Sequence, residues 1–172
     1  MSQPTNEMLP FLTRKDIDGF INNLARKIES DYEGQELIMI CPLKGSIHFI
    51  ADLMRRIRLP QRVDFVSMSS TEKGGSVRMT SDISISVTGK HVLIIEEIID
   101  SGRKLSFLKS RILASNPASL KIVTLLDKPA RRDLPIRADY IGKVIDDRYL
   151  IGYGMDSEEV GRNLPDIYTL KN

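Results

Sequence analysis

The hydrophobic positions of the chain fall into two kinds of segment, and their alternation indicates an α/β protein. Residues 16–32 place apolar side chains at the i, i+3, i+4, i+7 spacing of an amphipathic helix. Thr13 and Asp16 resemble a capping box at the start of this helix. Residues 36–41 and 91–95 are instead short apolar runs with the length of buried strands. Strands of this kind, covered on both faces, are typical of a parallel sheet between helices.

The remaining segments continue this alternation. Ser46 is expected to cap a second helix, whose apolar face would carry Ile47, Ile50, Leu53, Met54 and Ile57. Further strands are predicted at residues 62–68, 120–126 and 138–142, and a third helix at residues 103–116. We therefore predict a mostly parallel sheet of about five strands, flanked by helices.

Polar segments follow three of the predicted buried strands. They are a cationic glycine turn at residues 42–46, an acidic stretch at residues 96–104 and the tripeptide at residues 127–129. Open parallel sheets bind their ligands at the carboxyl ends of the strands. Because all three segments follow such ends, we expect them to meet at one edge of one sheet.

The acidic stretch favours a site for a cation and a phosphate. Glu96, Glu97 and Asp100 place three carboxylates at the end of one apolar strand, where buried charge is costly unless a cation is present. Such ligands suit Mg²⁺ held by few carboxylates and by substrate oxygens. The alternative is a solvated charge patch. The following residues, 101–104, open a helix whose free backbone amides favour a phosphate group, although the spacing is not that of a Walker loop.

Length, charge and cysteine content narrow the class of protein. The chain of 172 residues fits one domain. Its 25 basic and 23 acidic side chains leave a net charge of +2, which does not indicate a nucleic-acid or membrane partner. A single cysteine excludes a disulfide within the chain and fits a reducing compartment. No window approaches the roughly 18 apolar residues of a membrane helix, so we expect a cytoplasmic protein.

Residues 96–104 resemble the phosphoribosyl diphosphate-binding motif of type I phosphoribosyltransferases, in the hypoxanthine-guanine subfamily. Other segments are similar to that subfamily in the same order, namely residues 43–45, 124–129, 139–142, 151–156 and 162–165. The resemblance covers roughly residues 12–171. It implies one domain with a core of about residues 13–142 and a small hood built from the N-terminal segment and about residues 143–172.

The resemblance also implies an activity. It is the Mg²⁺-dependent transfer of the 5-phosphoribosyl group from phosphoribosyl diphosphate to a 6-oxopurine: hypoxanthine, guanine or xanthine. The products are the nucleoside monophosphate and pyrophosphate. Such enzymes serve purine salvage as homodimers or homotetramers.

The resemblance assigns the purine site to four residues besides the acid–base group. Asp100 would exchange a proton with purine N7, and Lys128 would donate a hydrogen bond to the 6-oxo group. Tyr149 would stack on the base, and Leu150 would offer its backbone to the base edge. Asp156 would lie beside the base and on the magnesium side.

The phosphoribosyl diphosphate site implied by the resemblance is larger. Leu43 and Lys44 would form the turn beside pyrophosphate, where a non-proline cis peptide is usual, and Arg162 would contact pyrophosphate. Glu96 and Glu97 would lie near the ribose hydroxyls and Mg²⁺. The complete set is Leu43, Lys44, Gly45, Glu96, Glu97, Ile99, Ser101, Gly102, Arg103, Lys104 and Arg162, with Glu96, Glu97 and Asp156 on the metal.

The chain departs from the family pattern at four positions. Glu97 stands where Asp is usual, Ser101 and Lys104 stand where Thr is usual, and Thr71 stands where Tyr is usual. The stretch of residues 71–88 is also shorter than usual, and its Gly, Ser and charged residues predict a mobile flap over the site.

Two other functions fit the same sequence. One is a phosphoribosyltransferase-like regulator that binds nucleotide without turnover, although the presence of Asp100 argues against it. The other is a sibling enzyme that prefers xanthine. A nucleic-acid face would draw on arginines that we interpret instead as solvated or subunit-contact residues: Arg55, Arg56, Arg58, Arg131 and Arg132.

Overall fold

The computed structural model describes residues 8–70 and 76–170. In chain order, its elements are β1 (Met8–Leu12), α1 (Arg14–Asp31), β2 (Leu37–Pro42), α2 (Ile47–Met54), β3 (Gln61–Ser70), β4 (Val77–Ser81), β5 (His91–Ile99), α3 (Arg103–Leu113), β6 (Ser119–Asp127), β7 (Tyr140–Val144), β8 (Leu150–Ile151) and β9 (Ile167–Leu170). One 3-10 turn, Pro129–Arg131, follows β6. None of the described helices is both long and apolar enough to cross a membrane.

The large sheet confirms the predicted architecture and adds one strand to it. Its order is β4-β3-β2-β5-β6-β7, and the five strands from β3 to β7 run parallel. The sixth strand, β4, pairs antiparallel with β3 at the edge, so the sheet is mixed. Strand β5 extends to Ile99, four residues beyond the predicted end at residue 95. Glu96 and Glu97 therefore lie within the strand and not after it.

The central strands are apolar throughout because both of their faces are buried. In β2, Leu37, Met39 and Cys41 join the core cluster formed with α1 and α2. The alternate residues Ile38 and Ile40 join a second cluster, which contains the buried face of α3. Because alternate residues of a strand point to opposite faces, one continuous apolar run contributes side chains to two core clusters.

The helix starts are predicted correctly for α1 and incorrectly for α2. The capping box of α1 is present, since Thr13 Oγ1 accepts from the Asp16 amide and the Asp16 carboxylate accepts from the Thr13 amide at 3.0 Å. The Ser46 hydroxyl does not cap α2, because it donates instead to the Pro42 carbonyl. Ile47 was predicted on the apolar face but is 47% exposed, and Phe49 is buried in that helix.

The structure describes residues 76–88 of the predicted flap at residues 71–88. Residues 71–75, including Thr71, lie outside the described residues. In the remainder of the segment, β4 pairs with β3 and Val87 is buried, so this part packs against the sheet, and closure over the site stays a prediction. The Asp64 carboxylate also accepts from the backbone amides of Ser84 and Ile85, at 2.6 and 3.2 Å, which fastens this segment to β3.

A small antiparallel sheet of order β1-β9-β8 joins the two ends of the chain. The buried Asp52 carboxylate connects this region to α2, because it accepts from Tyr153 Oη at 2.6 Å and from Arg14 Nη2 at 2.7 Å. Burial disfavours the charge of Asp52, but the hydrogen bonds from Tyr153 and Arg55 and the charge of Arg14 outweigh it and lower the pKa of Asp52. This network holds the C-terminal segment beside the turn that follows β2.

Candidate active site

The carboxyl ends of β2, β5 and β6 bring Lys44, Asp100 and Lys128 to one edge of the large sheet, as predicted. Neighbouring strands end together there, since Ile99 is in register with Asp127. Two adjoining cavities open along this edge, with volumes of about 340 Å³ and 210 Å³. Glu97 and Asp156 line both of them.

The first cavity is dominated by charged side chains. Its cations come from the turn after β2, from the start of α3 and from the C-terminal segment. Its lining consists of Pro42, Leu43, Lys44, Gly45, Met68, Glu96, Glu97, Lys104, Asp156, Glu159 and Arg162. The Leu43–Lys44 peptide bond is cis. A cavity with several cations beside carboxylates suits a polyanion that carries a divalent metal ion.

The second cavity combines an apolar wall with four charged side chains. Its lining consists of Glu97, Ile98, Asp100, Lys128, Tyr149, Leu150, Met155 and Asp156. The Lys128 side chain is only 9% exposed, whereas the Tyr149 residue is 53% exposed at the mouth. A flat aromatic wall beside one ammonium group and the carboxylates of Glu97, Asp100 and Asp156 suits a planar heterocycle with complementary polar edges.

Gly45 permits close packing between the turn after β2 and the side chain of Glu97 in β5. A Cβ atom at Gly45 would overlap the Glu97 carboxylate. A Cβ atom at Gly154, whose φ of +97° also favours glycine, would overlap the Gly45 carbonyl oxygen. The turn after β2 is therefore held between β5 and the C-terminal segment.

Glu96 and Glu97 form an electrostatically costly pair. Burial raises the pKa of Glu96 well above its ordinary value, repulsion from Glu97 raises it further, and Lys104 lowers it. Burial also raises the pKa of Glu97, against the opposing effects of its backbone hydrogen bond, Arg162 and Lys104. Across the described part of the chain, neither carboxylate has a salt-bridge partner. A divalent cation would supply the missing positive charge.

Asp156 is already engaged in this structure. One carboxylate oxygen lies 2.7 Å from Arg162 Nη2, and the other accepts from the Glu159 amide at 2.8 Å. Among the described residues, no three acidic, histidine or cysteine side chains are close enough to hold a metal ion. The residues present therefore fit Mg²⁺ with Glu96 and Glu97 as protein ligands and with substrate and water oxygens as the remainder.

Asp100 and Lys128 share a set of charged neighbours that the sequence did not reveal. Arg131 Nε donates to Asp100 Oδ1 at 3.1 Å. Asp147 lies 3.6 Å from Arg131 Nη1 and 3.8 Å from Lys128 Nζ. Arg131 and Asp147 thus connect Asp100 and Lys128 at the solvent-facing side of the second cavity.

Arg132 ties together the loops that present Asp100 and Lys128. Its largely buried guanidinium donates to the carbonyls of Ile99 at 2.7 Å, Asp100 at 2.5 Å and Lys128 at 3.1 Å. It also donates to the Asp127 carboxylate. One side chain therefore joins the carboxyl ends of β5 and β6, which excludes Arg132 from a solvated nucleic-acid face.

We expect Arg132→Ala to destabilise the fold by about 3 kcal/mol, because it leaves the buried Asp127 carboxylate without its partner. Urea unfolding followed by circular dichroism measures this loss. Arg131→Ala is the matched control: Arg131 is 54% exposed, and loss of an exposed ion pair costs about 1 kcal/mol or less. Equal midpoints for Arg132→Ala and the unmodified protein would contradict the role of Arg132.

Among the residues predicted to bind the phosphate, at positions 99 and 101–104, only Lys104 lines one of the two cavities. Lys104 lines the first cavity, but the Ile99 side chain is buried in the core. The Arg103 guanidinium pairs with Asp133 at 2.8 Å and lines a separate groove. Gly102 has a φ of +80°, and Ser101 contributes a hydroxyl 3.5 Å from the Arg103 amide. Ser101, Gly102 and Arg103 therefore present the backbone start of α3 and not a cluster of side chains.

Comparison with known proteins agrees with this geometry. Residues 15–158 match the family model described as the phosphoribosyl transferase domain. The chain is 42% identical over 164 residues to a hypoxanthine-guanine phosphoribosyltransferase of Staphylococcus aureus, covering 93% of this chain and 92% of that protein. It is 44% identical over 155 residues to the bifunctional protein TilS/HprT of Listeria innocua, of whose length it spans only 24%.

A solved structure extends the similarity to three dimensions. The crystal structure of a hypoxanthine-guanine phosphoribosyltransferase from Bacillus anthracis matches with a TM-score of 0.91 and 43% identity, over 95% of this chain and 96% of that one. Fold, site geometry and sequence identity lead to the same assignment. The chain belongs to the phosphoribosyltransferase family and, within it, to the hypoxanthine-guanine phosphoribosyltransferases.

Proposed function

We propose that this enzyme transfers the 5-phosphoribosyl group from phosphoribosyl diphosphate to N9 of a 6-oxopurine in purine salvage. The observation that carries the proposal is the pair of cavities that share Glu97 and Asp156. The charged cavity suits the diphosphate, and the cavity between Tyr149 and Lys128 suits the base. The ribose would lie at their junction, with C1 facing the base.

The charged cavity supports departure of pyrophosphate. As the bond from ribose C1 to pyrophosphate breaks, positive charge develops on the sugar and negative charge on the leaving group, much as in glycoside cleavage. Lys44 and Arg162, which line this cavity, would stabilise that negative charge. The free amides at the start of α3 would bind the 5-phosphate, with Lys104 adding charge. The attacking atom is a purine ring nitrogen, so the protein needs no nucleophile of its own.

The second cavity supports binding and proton transfer at the base. Tyr149 would stack on one face, and Lys128 would donate to the 6-oxo oxygen. Asp100, at the same cavity, would exchange the proton of N7 as the new bond forms. The backbone of Leu150 would contact the opposite edge of the base.

Mg²⁺ is the metal that we propose for the charged cavity. Glu96 and Glu97 would hold it together with ribose and diphosphate oxygens, and Asp156 would join them only if its ion pair with Arg162 opens. When bound, the metal neutralises the leaving diphosphate as a Lewis acid. A homodimer or homotetramer, as the family resemblance implies, stays a prediction.

Because only two carboxylates are available, we expect Mg²⁺ to bind weakly to the free protein and to arrive largely with phosphoribosyl diphosphate. Turnover should cease in excess chelator and return when Mg²⁺ is restored. The measurement is release of pyrophosphate from phosphoribosyl diphosphate and hypoxanthine during a chelator titration. Undiminished turnover at excess chelator would remove the metal from the proposed mechanism.

A further inference from the structure

The turn that carries Glu159 adopts a backbone that its sequence disfavours. Glu158 and Glu159 are the two central residues of a tight hairpin, closed by hydrogen bonds of 3.0 Å in both directions between Ser157 and Val160. Their φ values are +51° and +65°. Turns of this kind favour Asn-Gly, because other residues adopt positive φ at a cost in free energy. Contacts of the turn with its surroundings therefore help to select this form.

Glu159 makes two kinds of contact outside the turn, through its carboxylate and through its backbone amide. Its carboxylate lies 2.7 Å from Lys44 Nζ and 3.4 Å from Arg162 Nη2. Its amide donates to Asp156, which itself pairs with Arg162. These are the two cations that the proposed function gives to pyrophosphate. A carboxylate of the protein thus lies between them where a phosphate oxygen is expected to bind.

Glu158 is the comparison for Glu159 within the same turn. Both are exposed glutamates with left-handed backbones in one turn. Within the described parts of the chain, Glu158 forms no ion pair, whereas Glu159 pairs with two cations. The interaction therefore depends on the direction of one side chain and not on a general excess of negative charge.

We infer that Glu159 is a further functional residue of the leaving-group site: its carboxylate occupies Lys44 and Arg162 in the substrate-free protein and exchanges with the diphosphate group. The inference rests on the proposed function, which assigns pyrophosphate to these cations. Exchange is feasible because the Lys44 and Glu159 side chains are 66% and 64% exposed, and such ion pairs are weak. A diphosphate offers more charge and more acceptor oxygens than one carboxylate.

The exchange has consequences for both ends of the reaction. On binding, the diphosphate must displace the Glu159 carboxylate. This displacement lowers the apparent affinity of the protein for the diphosphate group. On release, Glu159 returns to Lys44 and Arg162, so that Lys44 regains an anionic partner when pyrophosphate departs. Glu159 would thereby favour product release at the expense of ground-state binding.

Calorimetric titration of pyrophosphate in Mg²⁺ tests the inference. We expect Glu159→Gln to bind pyrophosphate about 5-fold more tightly than the unmodified protein, the equivalent of one exposed ion pair. Glu158→Gln is the matched control, with the same change of charge in the same turn, and should change the affinity by less than about 2-fold because exposed charges are screened. Equal effects of the two variants would overturn the inference.

A double-mutant cycle separates exchange at Lys44 from a distant effect of charge. In a Lys44→Met background, Glu159→Gln should lose at least half of its effect on pyrophosphate affinity, because its main partner is gone. An undiminished effect in that background would overturn the inference. In turnover assays, pyrophosphate should inhibit Glu159→Gln at lower concentration than it inhibits Glu158→Gln.

Failure of the Glu159 inference can be distinguished from failure of the proposed function. If the unmodified protein turns over 6-oxopurines but Glu159→Gln behaves as Glu158→Gln does, the inference fails and the function stands. If Glu159→Gln binds pyrophosphate more tightly but no purine is converted, the exchange stands and the function fails.

Discussion

Replacing Asp100 by Asn is expected to slow turnover by about 10²–10⁴-fold, the usual contribution of a general acid–base group. The side chain lies in the second cavity, near the position proposed for purine N7. Asn preserves the shape but cannot take up the proton that N7 must lose. Binding of the base should change less, because stacking on Tyr149 and the hydrogen bond from Lys128 remain.

Steady-state and single-turnover rates with hypoxanthine measure this loss. Asp147→Asn is the matched control, since Asp147 is the other carboxylate beside Arg131. Loss of that exposed pair should lower turnover by less than about tenfold. An Asp100→Asn enzyme with the normal rate would show that Asp100 does not carry the proton.

Lys128 is expected to make adenine a very poor substrate, by about 10⁴–10⁵-fold relative to hypoxanthine. A charged lysine donates hydrogen bonds and accepts none. The 6-oxo group accepts, whereas the 6-amino group of adenine presents hydrogens to the same ammonium. Because the Lys128 side chain is only 9% exposed, adenine would leave a buried donor without a partner. Tyr149 cannot discriminate, since every purine offers a similar face.

Lys128→Ala should therefore lose most activity with hypoxanthine and narrow the gap to adenine. The measurement is kcat/KM for both bases in both proteins. Lys90→Ala is a suitable control, because Lys90 precedes β5 at the opposite edge of the sheet and pairs with Glu36. Comparable values for the two bases in the unmodified protein would remove Lys128 from this role.

Sequence reasoning located the site because strand ends are readable from hydrophobic runs. Lys44, Asp100 and Lys128 each follow a buried strand, and parallel strands end at one edge. Strand β4 was missed because its alternating, largely exposed residues do not form an apolar run. The hydroxyl of Ser46 was misassigned because a capping residue and a turn residue look alike in sequence.

The residues that sequence reasoning missed act across large chain separations. Glu159 reaches Lys44 over 115 positions, and no local spacing encodes such a contact. Arg132 was interpreted as solvated or as a subunit contact, although its guanidinium is 13% exposed and joins two strand ends. The only sequence signal was its position four residues after Lys128, inside a segment that already resembled the family.

Two of the departures from the family pattern, Glu97 and Lys104, line the proposed active site. Glu97 lies in both cavities, so its extra methylene group bears directly on the junction where ribose would lie. Lys104 lines the charged cavity and lowers the pKa values of Glu96 and Glu97, opposing the effect of burial. A lysine at this position therefore adds cationic charge beside the metal and phosphate groups.

The most direct test of the proposed function is a base panel with the purified, unmodified protein. It would be incubated with Mg²⁺, phosphoribosyl diphosphate and one of hypoxanthine, guanine, xanthine or adenine, while nucleoside monophosphate and pyrophosphate are both quantified. We predict equal amounts of the two products with at least one 6-oxopurine, and almost none with adenine or without a base. Binding of nucleotide without any product from the three 6-oxopurines would contradict the proposal and indicate a regulator that does not turn over.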